Sequence, residues 1–199
     1  MKQVFEIKDK NIIYELLDTT EYGTLAVSHN DEPYAVPLNF VRVEDIIYFH
    51  GALSNKKMKI LAHNPKVSFS VVQNHSLIAS FFSSDEGLAC PATQFFKSVS
   101  IDGMVEMIES REVKAMVFEA FMKKLQPEGG YKPFSDEAYD KAIKATAVMK
   151  IIPHTIRCKF KFGQHLTDER FEMILQHLEE RNSKIDRETI HMMKVQREV

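Results

Sequence analysis

The stretch His50-Gly51-Ala52-Leu53-Ser54-Asn55-Lys56-Lys57 joins two different periodicities. Before it, Ile46-Ile47-Tyr48-Phe49-His50 is a short run of β-branched and aromatic residues, the composition of a buried strand. After it, residues 56–63 read as a short helix that Asn64-Pro65 stops. Residues 51–55 are expected to be the loop between them. A helix that starts where a strand ends offers unpaired N–H groups and the positive end of its dipole to an anion. Ser54 adds a hydroxyl, and Lys56 and Lys57 add two cations, so the segment can cradle a phosphate. The same residues also fit a plain Ser-Asn helix cap followed by two solvated lysines.

Outward from this point the pattern is mostly β. Upstream, residues 24–28 form a short strand, His29-Asn30-Asp31-Glu32 a polar turn, and residues 33–41 a second strand. Pro37 inside that strand predicts an edge or a bulge. Glu44-Asp45 is another turn. The first element is a helix with Ile12, Ile13, Leu16 and Leu17 at helical spacing, broken by Tyr22-Gly23. Downstream, Val67, Phe69 and Val71 alternate with Ser68 and Ser70, a half-buried strand. Residues 77–82 are a further strand or an ordered loop, and residues 95–107 a strand with Gly103 where a bulge would fit. Ser110 can cap a helix that uses Val113, Val117, Ala120 and Phe121. After a loop over residues 126–133, Ser135 can cap a second helix, with Asp136 and Glu137 favourable to its dipole. Residues 147–152 and 155–162 are the last strands. From Thr167 the chain is helical, with Phe171, Ile174, Leu175 and Leu178 in one stripe, and Asp186 can cap a final helix. The sum is a mainly antiparallel β fold (α+β) with helices between strands and at the ends.

Composition removes several classes of function. The chain has 199 residues, a formal net charge of −2, 44% hydrophobic and 27% charged residues, which fits one globular domain. The charge makes no general case for a nucleic-acid partner. No apolar run is long enough to span a membrane, and Met1-Lys2-Gln3-Val4-Phe5-Glu6 lacks the apolar core of a signal peptide, so a cytoplasmic location is expected. Cys90 and Cys158 form no CxxC pair and read as reduced thiols. His29, His63, His75, His154, His165, His177 and His191 show no metal-ligand spacing and read as surface or cap residues; no metal site is expected. The ten methionines suit core or interface packing. Hydrolase elbows, P-loops and dinucleotide-binding glycine motifs are absent from the sequence.

The phosphate segment, with Ile60-Leu61 and Asn64-Pro65-Lys66-Val67 behind it, resembles that of the FMN-binding split-barrel superfamily, the pyridoxamine-phosphate-oxidase-like proteins. The nearer resemblance is to the branch of nitroimidazole-resistance and flavin-nucleotide-binding proteins, where the segment runs approximately His-Ser-Ala, two residues, Gly-Arg-Lys. Tyr22-Gly23-Thr24-Leu25-Ala26, Pro33-Tyr34-Ala35-Val36-Pro37-Leu38-Asn39-Phe40 and Lys97-Ser98-Val99-Ser100-Ile101-Asp102-Gly103 resemble three further strands of that superfamily, in the expected order.

The resemblance implies a six-stranded split β-barrel over residues 1–165, with peripheral helices and a helical extension over residues 166–199 packed on the same domain or on a dimer. It implies a homodimer with FMN at the interface. Lys57 would match the phosphate-binding lysine and Lys56 the preceding arginine, with Ser54 and Asn55 in the same turn. Val36, Pro37, Leu38 and Asn39 would run along the flavin ring, and His50, Gly51 and Ala52 would flank the ribityl chain and ring. Ser98 would reach flavin bound mainly by the other subunit. The departures are Lys56 for arginine, which loses a bidentate phosphate contact, and Asn55 for glycine. Lys161-Phe162-Gly163-Gln164-His165 resembles a Lys-x-x-Gln-Asn segment found after the barrel in some relatives, so Lys161 or Gln164 could reach the flavin; a plain strand-to-helix connection fits equally. The expected activity is that of a flavin-dependent oxidoreductase on a small-molecule acceptor such as a nitroaromatic or a quinone, with His50 as a possible proton donor or a cofactor support. The alternatives are a non-catalytic FMN sensor or regulator and a haem-handling relative of the same barrel.

Overall fold

The computed structural model describes residues 2–197. A two-residue strand, β1 (Glu6–Ile7), precedes helix α1 (Lys10–Thr19), which buries Ile13, Leu16 and Leu17. Next come β2 (Tyr22–His29), β3 (Glu32–Asn39), β4 (Val41–Val43), β5 (Ile46–Ala52), α2 (Lys56–His63) and the long β6 (Lys66–Ile78). Then β7 (Thr93–Ile108), α3 (Arg111–Leu125), α4 (Asp140–Ala145), β8 (Thr146–Lys161), α5 (Asp168–Arg181) and α6 (Lys184–Arg197) complete the chain. The main path of the sheet is open, in the order β3-β2-β6-β7-β8-β5-β4, and β1 pairs with β8. The pairings β1–β8, β2–β3, β2–β6, β4–β5 and β5–β8 are antiparallel. Six of the eight strands among the described residues are seven residues or longer.

The chain divides into two compact units. One holds the residues up to Asp9, residues 72–98 and the chain from Cys158 onward; the other holds residues 10–71 and 99–157. In the second, alternation decides burial in β2: Gly23, Leu25 and Val27 face inward and Thr24, Ala26 and Ser28 outward. Gly23 is required by a close approach, because a Cβ there would stand 2.1 Å from Cζ of the Phe69 ring. Val41, Tyr48, Val117, Phe121 and Val148 form one apolar cluster beneath α3. In the first unit Phe95, Cys158, Phe160, Phe162, Phe171, Ile174 and Leu178 are buried.

Several elements depart from the sequence reading. Tyr22-Gly23 opens β2 instead of breaking α1, which ends at Thr19 with the Thr20 amide and hydroxyl both donating to Leu16 O. The expected strand over 33–41 splits at the buried Phe40, where the chain leaves β2 as partner and Val41 begins to pair with β5. Pro37 lies, as expected, on an edge strand, the first in the sheet order. Gly51 and Ala52 belong to β5, paired with Ala147 and Thr146, so the loop is only Leu53 to Asn55. Residues 77–82 divide between the end of β6 and a 3-10 turn over Ser80–Phe82. The two last strands are one, β8; Pro153 and His154 between them continue the strand, half-buried and exposed respectively. Gly103 interrupts nothing in β7; a Cβ there would meet Ile152 O at 2.3 Å.

Helix caps differ too. Asp136, not Ser135, caps the 3-10 turn Glu137–Tyr139 before α4, its Oδ1 accepting from Ala138 N at 2.8 Å. The cap of α6 is Ser183: its Oγ accepts from Asp186 N at 3.2 Å, while Asp186 Oδ2 accepts from Ser183 N at 3.1 Å. That reciprocal pair is a capping box, and it makes Asp186 the third residue of the helix rather than its cap. Among the described residues no helix is long and apolar enough to cross a membrane.

Candidate functional site

β5 ends at Ala52 and α2 starts four residues later, and the turn between them is held by Asn55. Its side chain accepts from Met58 N at 3.0 Å, capping the helix, and donates to Ala52 O at 3.0 Å, tying the helix start to the strand end. Asn55 has φ −137°, extended backbone, so the asparagine stands here as a cap and not for a left-handed turn. With Oδ1 spent on the third helical residue, the amides of Lys56 and Lys57 open the first turn.

Lys57 folds back over Gly51. A Cβ on Gly51 would lie 2.7 Å from Lys57 Nζ and 3.4 Å from Asn55 Nδ2. The ammonium therefore sits over the strand end at the mouth of the helix, half-buried, and burial lowers its pKa. Neither Lys56 nor Lys57 forms an ion pair among the described residues. Lys56 instead stands over the Tyr34 ring, 4.7 Å from its centroid, which holds a flexible side chain beside the same turn. Ser54 is exposed at the apex.

His50, one residue before Gly51, is exposed, yet its ring stands edge-on against Phe121 and Phe118 with centroids 4.7 and 5.7 Å away. Burial against these rings lowers its pKa, and the Lys57 cation lowers it further, so the imidazole is neutral at pH 7. Phe118 continues the aromatic layer by stacking on Phe134, which stacks on Tyr139. The sequence reading named His50, Gly51, Asn55 and Lys57 and missed Tyr34, Phe118 and Phe121 as their neighbours.

The other expected residues fall elsewhere. Val36, Pro37, Leu38 and Asn39 form the end of edge strand β3; Leu38 is buried, Pro37 exposed, and Asn39 Nδ2 donates to Glu21 O at 3.1 Å. Ser98 is half-buried on β7, in the unit of residues 72–98. Gln164 is committed to its own turn, accepting from Phe162 N at 2.8 Å and donating to Phe160 O at 2.9 Å. Lys161 donates to Thr93 Oγ1. His75, expected as a surface or cap residue, is 5% exposed. No group of three or more metal-ligating side chains occurs among the described residues.

A family model described as pyridoxamine 5'-phosphate oxidase matches residues 9–159. The chain belongs to that family. The match takes in the whole of the β5–α2 turn and both aromatic neighbours of His50. Solved structures agree on the fold. A Bacteroides thetaiotaomicron protein assigned to 5-nitroimidazole antibiotic resistance is 22% identical, with TM-score 0.63, over 77% of this chain and 85% of its own. The flavocytochrome Anf3 of Azotobacter vinelandii is 25% identical, with TM-score 0.66, over 82% and 73%. A FAD and heme binding protein of Mycobacterium smegmatis is 22% identical, with TM-score 0.66, over 86% and 79%. Among curated proteins none matches the chain. The antiparallel architecture is that of the pyridoxamine 5'-phosphate oxidase family, and the β5–α2 turn brings together Lys56 and Lys57, neither ion-paired among the described residues.

Proposed function

We propose that the chain binds FMN in the β5–α2 turn and works as a flavin-dependent oxidoreductase on a small acceptor such as a nitroaromatic or a quinone. One observation carries the reading: the Lys57 ammonium lies over Gly51 at the N-terminus of α2 with no acidic partner among the described residues. A phosphate monoester fits that arrangement in charge and in donors: two ammonium groups, the Ser54 hydroxyl and the first amides of the helix. A single compact cradle suits the one phosphate of FMN. Membership of the family supports a flavin, as do the flavin names carried by two of the structural neighbours.

When bound, the flavin supplies the electron-transfer chemistry. The chain's residues bind and orient: Lys57 and Lys56 hold the phosphate, Tyr34 holds Lys56, and His50 packs beside the cofactor as a neutral imidazole. The working unit is a homodimer, in which Ser98 meets flavin held mainly by the second copy. Exposed Val72, Leu77 and Phe81 offer apolar surface for such an association.

Cofactor extracted from the purified protein should be FMN; recovery of FAD alone would overturn the cofactor, and a Soret band would point to haem instead. Lys57→Ala should weaken FMN binding by one to two decades, since a charge-assisted contact contributes ~1.5–3 kcal/mol. Unchanged flavin titrations for Lys56→Ala, Lys57→Ala and the double variant would place the cradle elsewhere.

A further inference from the structure

The unit that contains residues 72–98 and the chain from Cys158 onward has a cavity of about 350 Å³ beside the start of α5. Lys161 and Arg170 line it together with His165, and no carboxylate does. Neither Lys161 nor Arg170 forms an ion pair among the described residues. Of the two acids that begin α5, Asp168 pairs with Arg197, and Glu169 lines a different groove, the one beside Lys194. Both cations are held in place. Arg170 donates from Nε to Ser83 O at 2.9 Å and from Nη2 to Ser83 Oγ at 3.3 Å, which fixes the guanidinium plane. Lys161 donates to Thr93 Oγ1. Phe95 and Ile174 supply an apolar wall. The His165 pKa is lowered first by burial and then by the Lys2, Lys161 and Arg170 cations, which agrees with a positive potential at this place.

We propose that this cavity binds a small organic anion, its phosphate or carboxylate head meeting Lys161 and Arg170 and its apolar body lying against Phe95 and Ile174. The volume is at the small end of ligand cavities, on the order of 300–1,000 Å³, so one ring or a short chain fills it. Two fixed cations with no counter-charge are a poor arrangement for folding alone, and an anion neutralises them with charge-assisted hydrogen bonds. The inference shares no residue with the β5–α2 cradle and does not rest on flavin binding there.

Cys90 gives the test. It lines the cavity and is exposed, whereas Cys158 is 1% exposed, so thiol reagents report Cys90. Alkylation by iodoacetate, an anion, is compared with alkylation by neutral iodoacetamide. At low salt the iodoacetate-to-iodoacetamide rate ratio at Cys90 should exceed that of N-acetylcysteine several-fold, and the excess should shrink as salt screens the cations. Lys161→Gln should abolish most of the excess and Lys161→Arg should keep it, which separates lost charge from lost folding. Millimolar phenyl phosphate or phenylacetate should protect Cys90, and benzyl alcohol should not. Protection by phenyl phosphate alone assigns a phosphate head, and protection by phenylacetate alone a carboxylate. A ratio equal to that of N-acetylcysteine, protection by neither anion, or equal protection by benzyl alcohol overturns the proposal. The protection is measured with and without FMN; if FMN displaces phenyl phosphate, the anion sits in the flavin cradle and the proposal fails.

Discussion

A methyl group on Gly51 would stand 2.7 Å from Lys57 Nζ, and an ammonium on a flexible stem can give way where backbone could not. Gly51→Ala should therefore spare the fold and move the cation. FMN affinity should fall by up to tenfold, ~1.4 kcal/mol, with the melting temperature little changed; a titration and a melt on the same sample check both. The neutral imidazole of His50 gives a second expectation. His50→Gln should lower flavin occupancy and leave the turnover of flavin-loaded enzyme nearly unchanged, because burial and the Lys57 cation disfavour the imidazolium form that a general acid needs. Stopped-flow reoxidation of the loaded variant decides it; a roughly hundredfold slowing would assign acid catalysis to His50. Lys57, Gly51 and Asn55 were legible in the sequence because they are neighbours in it and a helix start has a fixed chemistry. Tyr34, Phe118 and Phe121 were not, since only the packing of β3 and α3 on this turn brings them near, and no local pattern records that.

β6 and α6 meet through side chains that the sequence shows as unremarkable polar residues. Ser76 Oγ donates to Asp186 Oδ1 at 2.6 Å, Arg181 Nε donates to Asp186 Oδ2 at 2.9 Å, and the carboxylate is fully buried. Beside them His75 Nδ1 stands 3.4 Å from Thr189 Oγ1, and Nε2 is buried without a partner among the described residues. Burial lowers the His75 pKa to about 4, with the Lys97 cation adding to it. Above pH 6.5 the ring is neutral folded and unfolded, and the full stability is present. Between pH 6.5 and 4 the unfolded chain takes up a proton that the folded chain refuses, so stability falls by ~3 kcal/mol before levelling off. Below that window Asp186, whose pKa the Arg181 guanidinium and the serine hydroxyls hold low, continues the loss as its carboxylate protonates. Denaturant melts at pH 7.5, 5.5 and 4.5 should show the first decline, and His75→Gln should flatten it; a wild-type curve flat across this range would contradict the buried neutral ring. At this scale the sequence showed α2, α5 and the alternation of β2 clearly. It misled wherever a long strand carries a polar stretch, as in β8, because period and composition report which face is wet, not whether the chain turns.

For the molecule as a whole, the open sheet and the exposed apolar residues Leu77, Phe81 and Val72 lead to an expected homodimer. Light scattering on the flavin-loaded protein should give twice the chain mass; a stable, loaded monomer would refute the association and with it the role of Ser98. The antiparallel fold class was readable because strand alternation and turn residues agree, whereas the two compact units were not, since each is discontinuous in the chain and no local pattern records which distant segments pack together. β3 ends the strand order, and Pro33 and Pro37 lie on it four residues apart. Residues that far apart point their backbone the same way, and a proline tolerated in a paired strand must turn its missing N–H away from the partner. The rim of β3 thus presents donors only at Ala35 and Asn39, too few for another strand to zip along it. Copies of this chain can meet through side-chain surfaces, but stacking rim to rim into a growing fibre is denied the regular row of amides it would need.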